Sequence, residues 1–272
     1  MKLGAGTTAV VTGGGGGLGR SIVLDLARRG ARVLVSDLDG PAAEQVASEV
    51  RARGGRADAM ICDVAKLDDV EALARRADDL FGATDLLVNN AGVAAAGPMG
   101  EMPIDDWRWV IDVDLWGPIH GCHTWIPRMK RRGRGHLLNV ASIAGVASAP
   151  MMGPYNVAKA GVISLSETLA AELEKDGIGV TVLCPFFFQT NVMKSSRRTG
   201  PVTTMGAAAE KLMRDSKLSA DDVARIALDA CEDGTLYCMA HREAKAIWAM
   251  KRLGGERFRS VVKLLERRAF GR

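Results

Sequence analysis

Short runs of β-branched and aliphatic residues alternate with longer helical patterns along most of this chain, and no other sequence feature restricts its folding as tightly. The strand candidates are Thr8–Val11, Arg32–Ser36, Ala57–Cys62, Leu86–Asn89, Gly135–Val140 and Gly179–Cys184. Between them lie Leu18–Arg29, Pro41–Arg53, Leu67–Phe81, Ile104–Arg131 and Pro154–Lys175, each with apolar residues at helical spacing. Repeated strand–helix–strand units predict a doubly wound α/β fold, a parallel sheet with helices on both faces. The composition supports that reading: 272 residues, 47% hydrophobic and 25% charged, suffice for a full core and exclude disordered and fibrous classes. No linker, repeat or low-complexity tract divides the chain, so residues 1–272 are expected to form one domain. After the sixth strand the period loosens over Thr190–Ser216, a length that predicts a lid or binding segment, and a helix then starts at Ser219 with Asp221 and Asp222 in its first turn.

Several functional classes drop out early. No apolar run approaches the roughly 20 residues of a membrane span, and the stretch Thr8–Thr12 is too short for the core of a signal peptide. Five scattered cysteines without a CxxC pair (Cys62, Cys122, Cys184, Cys231 and Cys238) predict reduced thiols in a cytoplasmic protein, with neither a disulfide framework nor a metal site. The net charge of +4 is too small to argue for nucleic acid. It is concentrated at one end: residues 241–272 hold ten Lys/Arg and three Asp/Glu. A solvated, basic amphipathic helix explains that extension best; a subunit contact or an anionic membrane surface is the minority alternative.

The first strand runs into Thr12-Gly-Gly-Gly-Gly-Gly-Leu-Gly19, which opens a helix. Gly13, Gly17, Leu18 and Gly19 thus occupy a turn where backbone N–H groups and the helix dipole favour a pyrophosphate, and where glycine permits close approach. Five glycines alone make a flexible turn; placed between strand and helix they point to a dinucleotide. Asp37 follows 18 positions after Gly19, near the offset at which a carboxylate meets the adenosine ribose. It would accept both hydroxyls and repel a 2′-phosphate, favouring NAD; it could equally cap the helix starting near Gly40, and the two roles are compatible. Arg20 and Arg32 are the nearby cations that would argue for NADP. Asp63-Val64 closes the third strand, where an acid meets an adenine amino group or simply caps. Asn89-Asn90-Ala-Gly92 closes the fourth; its amides suit bridging of strand ends as well as an Asx turn, and Gly92 lets the backbone pass a cofactor.

Tyr155 and Lys159 stand four apart at the start of a helix, so phenol and ammonium share one face. A free phenol, with a pKa of about 10, is a poor base at neutral pH, and an adjacent cation lowers that value. Ser142, just after the fifth strand, lies at the same edge of the sheet, where its hydroxyl suits bonding to a carbonyl or carbinol oxygen.

In this order and spacing Thr12-Gly-x-x-x-Gly-x-Gly19, Asn89-Asn-Ala-Gly92, Ser142 and Tyr155-x-x-x-Lys159 resemble the short-chain dehydrogenase/reductase family, from about Thr7 to Thr190. The resemblance implies a Rossmann-like sheet of about seven strands, an NAD(P) cofactor and a homo-oligomer, dimer or tetramer. It implies Tyr155 as acid/base, Ser142 as the residue orienting the substrate oxygen, and Lys159 as the group that holds the nicotinamide ribose and lowers the tyrosine pKa. Pro185 and Thr190 match positions beside the nicotinamide. Two departures stand out. Asp114 occupies the place of an Asn that supports a proton relay to the lysine, so it is taken as a relay residue or as a local helix contact. Phe186 follows Pro185 where a glycine is usual.

Phe186, Phe187, Phe188, Met151, Met152 and Met193 cluster at segments expected to border the nicotinamide. Some will be core, but their position predicts an apolar pocket for a secondary alcohol or ketone on a hydrophobic skeleton, with Phe187, Phe188, Met152 and Met193 as its walls. Lys194, Arg197 and Arg198 fit a solvated loop better than a contact with an acidic substrate. The expected activity is therefore hydride transfer between NAD(H) and a secondary alcohol or ketone. An NADP-dependent reductase of the same fold and a non-catalytic nucleotide-binding protein are its rivals.

Overall fold

Seven parallel strands form the central sheet of the computed structural model, which describes residues 1–188, 196–200, 211, 213–258 and 260. The first half reads β1 Thr8–Thr12, α1 Gly17–Arg28, β2 Arg32–Asp37, α2 Gly40–Ala52, β3 Arg56–Ile61, α3 Leu67–Phe81 and β4 Leu86–Asn89. The second half has β5 Ala95–Ala96, α4 Ile104–Ile111, α5 Gly117–Arg132, β6 Gly135–Val140, α6 Ala144–Ala147 and α7 Gly153–Leu173. It continues with β7 Ile178–Leu183, β8 Arg197–Arg198, α8 Ala220–Glu232, β9 Tyr237–Cys238 and α9 Arg242–Gly254. The sheet order is β3-β2-β1-β4-β6-β7-β9, and β5 pairs with β8 in a separate two-stranded ribbon.

The strand period of two sorts the core. Val11, Val33, Val35, Leu86, Val88 and Leu138 face one apolar cluster with α1, α2 and α8. Val10, Leu34, Leu87 and Leu137 face the other, with Leu73 of α3, Trp125 of α5 and Leu173 of α7. Both faces of β1 and β4 are therefore buried along their whole length, which is why these strands are continuous apolar runs rather than alternating ones. The chain reverses its direction of winding between β1 and β4, so the carboxyl ends of these strands border the crevice where open α/β sheets bind ligands.

All six expected strands are present, and β9 is the seventh. The expected continuous helix over Ile104–Arg131 is interrupted by a π-helical turn at Asp112–Trp116. Pro118 supplies the cause: it has no N–H to donate to the carbonyl of Asp114 four residues earlier. The helix expected from Ser219 is present as α8, and Ser219 caps it through a reciprocal capping box with Asp222. All five cysteines are free and buried. Among the described residues no helix is long and apolar enough to cross a membrane, and no His/Cys/Asp/Glu group is arranged to hold a metal.

Candidate active site

The glycine loop closes directly against the end of β4. Gly13 has a φ of 62°, and a Cβ there would lie 2.7 Å from the Cα of Ala91. Asn90 crosses from β4 to donate its side-chain amide to the carbonyls of Thr12 and Gly13, each at 2.9 Å. The Thr12 hydroxyl accepts from the N–H groups of Asn90 and Ala91. These bonds bridge neighbouring strand ends and hold the loop open above α1. That helix begins without a side-chain cap or an acid in its first turn, with Gly16 at its N-cap and Leu18 buried in the core, so its first N–H groups remain available to an anion. A Cβ on Gly19 would meet the Gly13 carbonyl oxygen at 2.0 Å. Gly19→Ala should therefore shift the loop, costing about 1–3 kcal/mol of stability. Thermal melts with and without NAD would show a lowered midpoint and a lost cofactor-induced rise; wild-type behaviour would mean that the loop tolerates the shift.

Asp37, half-buried at the end of β2, accepts from the N–H of Gly15 at 2.9 Å and from that of Asp39 at 3.0 Å. It is not the helix cap: Asp39 caps α2 by accepting from the N–H of Ala42 at 3.1 Å. Arg20 makes a fork on Glu49 of α2, and Arg32 reaches the Phe81 carbonyl and lies over its ring. Asp63 forms a local turn, accepting from Ala65 at 3.1 Å with Lys66 at 3.5 Å, while the Val64 side chain is buried beside Gly117. Asn89 starts a buried polar ladder that the sequence did not reveal: it donates to Asn139 of β6 at 2.8 Å, and Asn139 donates to Ser166 of α7 at 3.0 Å.

Tyr155, Lys159, Ser142 and Asp114 converge at the carboxyl edge of the sheet. Lys159 is buried; its ammonium lies 5.6 Å from the centre of the Tyr155 ring and donates to the Val140 carbonyl at 3.1 Å. The Ser142 hydroxyl accepts from the Ala144 N–H at 3.1 Å and lies beside Tyr155, where it favours the ionised phenol. Asp114, on the π-helical turn, is fully buried, with one carboxylate oxygen 3.1 Å from the Lys159 ammonium and the other accepting from the Val93 N–H at 2.7 Å. The carboxylate thus reaches out of its own helix. Gly92 keeps that space clear, since a Cβ there would lie 3.3 Å from Asp114 and 3.4 Å from Lys159.

The charges act on one another strongly in this setting. Burial disfavours the Lys159 cation, but Asp114 and Tyr155 beside it hold its pKa above the ordinary lysine value. Burial pushes the Asp114 carboxyl up, against the opposing pull of Lys159 and the Val93 N–H. With the Val93 N–H on one oxygen and the Lys159 ammonium 3.1 Å from the other, the ionised pair is the form that the geometry supports. Burial also pushes the Tyr155 phenol up, Asp114 adds to this, and Lys159 and Ser142 oppose it.

The apolar residues divide. Phe187 and Met152 are half-buried, Phe187 with its ring edge-on to Phe186 at 5.1 Å. Phe188, expected on the pocket wall, is 6% exposed and belongs to the core cluster of α1 and α8. The extended period ends with β7, and the bend at Phe187 turns Phe188 into the same cluster as Leu183. Pro185 accepts from the Ile143 N–H at 3.0 Å, tying this segment to the one that carries Ser142. Arg197 is held by Asp106 at 2.9 Å and lies over the Trp109 ring, so it faces α4 rather than a substrate. Thr190, Met193 and Lys194, with much of the expected lid, lie outside the described residues, as do 259 and 261–272 of the basic extension. The sequence reading also missed His241, a lone histidine before a basic helix: it is buried and bonded to the Phe186 backbone.

Residues 7–201 match the short chain dehydrogenase family. The chain is 32% identical over 265 residues to a probable oxidoreductase, EphD, of Mycobacterium tuberculosis; the match takes in 95% of this chain but only 45% of that relative's length. It is 34% identical over 250 residues to the C alpha-dehydrogenase of Sphingobium sp., covering 87% of this chain and 81% of the relative. A short-chain dehydrogenase/reductase from Burkholderia phymatum, crystallised in complex with NAD, superposes with a TM-score of 0.86 at 33% identity, over 93% of this chain and 95% of that one. Sheet order, glycine loop, catalytic-edge geometry and these matches agree, and the chain belongs to the short-chain dehydrogenase/reductase family.

Proposed function

We propose that this protein is an NAD-dependent oxidoreductase that interconverts a secondary alcohol and its ketone on a hydrophobic skeleton, with residues 1–272 acting as one catalytic domain. The observation that carries the reading is the convergence of Tyr155, Ser142 and Lys159 at the crevice edge, beside a glycine loop that leaves helix N–H groups exposed. NAD+ supplies the hydride acceptor when bound. Gly13, Gly17, Leu18 and Gly19 cradle its pyrophosphate, and Asp37 accepts from the adenosine ribose. Asp63 and Val64 meet the adenine, Asn90 and Gly92 line the path toward the nicotinamide, and Pro185 borders it; Thr190, expected there too, lies outside the described residues. Tyr155 takes the proton from the carbinol oxygen, Ser142 hydrogen-bonds the same oxygen, and the Lys159 cation stabilises the phenolate.

Asp37 supports the choice of NAD. Its carboxylate stands beside the glycine loop, and Arg20 and Arg32 are both engaged elsewhere. Asp37→Ser should weaken NAD binding by about tenfold, the effect of losing a hydrogen bond to a charged acceptor, and narrow the gap to NADP. Fluorescence titrations with NADH and NADPH measure both; equal affinities in the wild-type protein would defeat the assignment. For the substrate, half-buried Phe187 and Met152 support an apolar pocket. A screen of apolar secondary alcohols with NAD+, read by absorbance of the reduced cofactor, tests the activity; no turnover with any of them would sink it. The five buried thiols support a cytoplasmic location, and the homo-oligomer expected of the family is open to sedimentation velocity.

A further inference from the structure

We propose that α9, the helix that starts the basic C-terminal segment, is a brace for the catalytic edge, with His241 and Lys251 as positioning residues. The inference rests on the oxidoreductase reading for its kinetic consequence but not for its structural one.

Two strand-leaving segments flank the crevice. One carries Ser142 into α6, and the other runs Pro185–Phe188 out of β7. Neither is held by the sheet ladder, because each starts where pairing ends. A hydrogen bond joins them, from the Ile143 N–H to the Pro185 carbonyl. Phe188 is also held in the core with α1 and α8, and α6 packs on α7; both segments are in addition fastened to α9.

At the start of α9, His241 is 5% exposed and its Nδ1 accepts from the Phe186 N–H at 3.2 Å. A backbone N–H can only donate, so Nδ1 is unprotonated here and the ring proton sits on Nε2. Burial, opposed by Glu243, lowers the His241 pKa and favours this neutral form. The ring lies 6.3 Å from that of Phe186 and 6.2 Å from that of Phe188, centre to centre. At the far end of α9, the Lys251 ammonium donates to the carbonyl of Val146, in the last turn of α6, at 2.6 Å. A cation at a helix C-terminus satisfies a carbonyl that the helix leaves without a partner.

Between these anchors, Ala244 and Ile247 of α9 are buried in one apolar cluster with Ile143 and Val146, next to Ser142, and with Val182 and Cys184, which lead to Pro185. A third tether fixes the outer face: Arg252 donates to the Tyr237 hydroxyl at 2.8 Å, and that hydroxyl bonds Glu167 of α7. The brace explains how this chain manages with Phe186 after Pro185. The bulkier residue packs beside His241, their rings tilted at 59°, and His241 in turn accepts the N–H that burial would otherwise strand.

The test uses the full-length protein and two readouts. His241→Leu removes the acceptor while keeping an apolar side chain, and His241→Asn returns an oxygen close to the Nδ1 position. Lys251→Met keeps the stem and removes the charge. Hydrogen exchange should rise in residues 185–188 of His241→Leu and in 143–148 of Lys251→Met, with the central strands unchanged. His241→Asn should restore protection. In steady-state kinetics with saturating NAD+, kcat/KM of His241→Leu should fall about tenfold, the effect of an unpaired buried N–H felt at the reacting edge, with NADH stoichiometry retained. Unchanged exchange in both segments would overturn the brace, as would exchange that rises evenly over the whole sheet. A wild-type protein that binds NADH without turning over any alcohol defeats the oxidoreductase reading alone, and exchange still decides the brace.

Discussion

Tyr155→Phe should reduce turnover by about a hundred- to ten-thousand-fold, the range that a positioned acid/base supplies, with cofactor affinity and folding retained. The ring packs among Ala95, Met102, Val110 and Ala158, so a phenylalanine fills the same volume, and the lost hydroxyl belongs to no ladder of the fold. What disappears is the proton acceptor. Ser142 and Lys159 stay in place, but neither replaces it: the serine hydroxyl is too weakly acidic to exchange the proton, and the lysine is already charged beside Asp114. Stopped-flow measurement of cofactor reduction, with an NADH titration alongside, separates chemistry from binding. Near-normal turnover in this variant would remove Tyr155 from the mechanism and leave only the dinucleotide fold.

Asp114 should give the second large effect, and two substitutions divide its roles. Asp114→Ala leaves Lys159 buried without its counter-ion, a loss of about 3–5 kcal/mol by analogy with other broken buried pairs; chemical denaturation measures it. Asp114→Asn keeps the volume, but Val93 and Lys159 both present donors and an amide offers one acceptor oxygen, so a smaller loss of about 1–3 kcal/mol is expected. The pH dependence carries the sharper test. Burial raises the Tyr155 pKa and Asp114 raises it further. Oxidation requires the deprotonated phenol, so the wild-type rate should climb toward alkaline pH. Removing the carboxylate eases phenol ionisation, and the rising limb should move to lower pH in Asp114→Asn. The protonated phenol serves reduction, so the same carboxylate favours the ketone-reducing direction near neutrality. A pH profile identical to wild type would mean that Asp114 acts on the fold alone.

Position along the chain was enough to identify the parts whose geometry is local. Period two and period 3.6 are properties of neighbouring residues, so six strands and the flanking helices were legible to within a residue or two at most ends. The glycine loop, Asp37 and the Tyr155–Lys159 pair were legible for the same reason: each is a turn, a strand end or one helical face. The family resemblance assigned roles to these parts, though not contacts.

Packing decided the rest. The seventh strand, Tyr237–Cys238, is two residues long and carries no period of its own; it exists because β7 offers it an edge. The expected long helix breaks at Asp112–Trp116, and that turn aims Asp114 at a lysine 45 positions later in the chain. Phe188 was read as pocket wall and lies in the core, because sequence shows that a residue is apolar but not which side of the sheet edge it leaves from. The cap of α2 fell to Asp39 rather than Asp37, which freed Asp37 to face the glycine loop. His241 had no local signal, since its partner is an N–H 55 residues away. Sequence by itself determined which elements form and which edge of the sheet holds the chemistry, because both follow from hydrogen bonding and burial between near neighbours. Only the tertiary structure decided which charges and donors meet across that edge, because such distances depend on how separate helices and strands settle against one another.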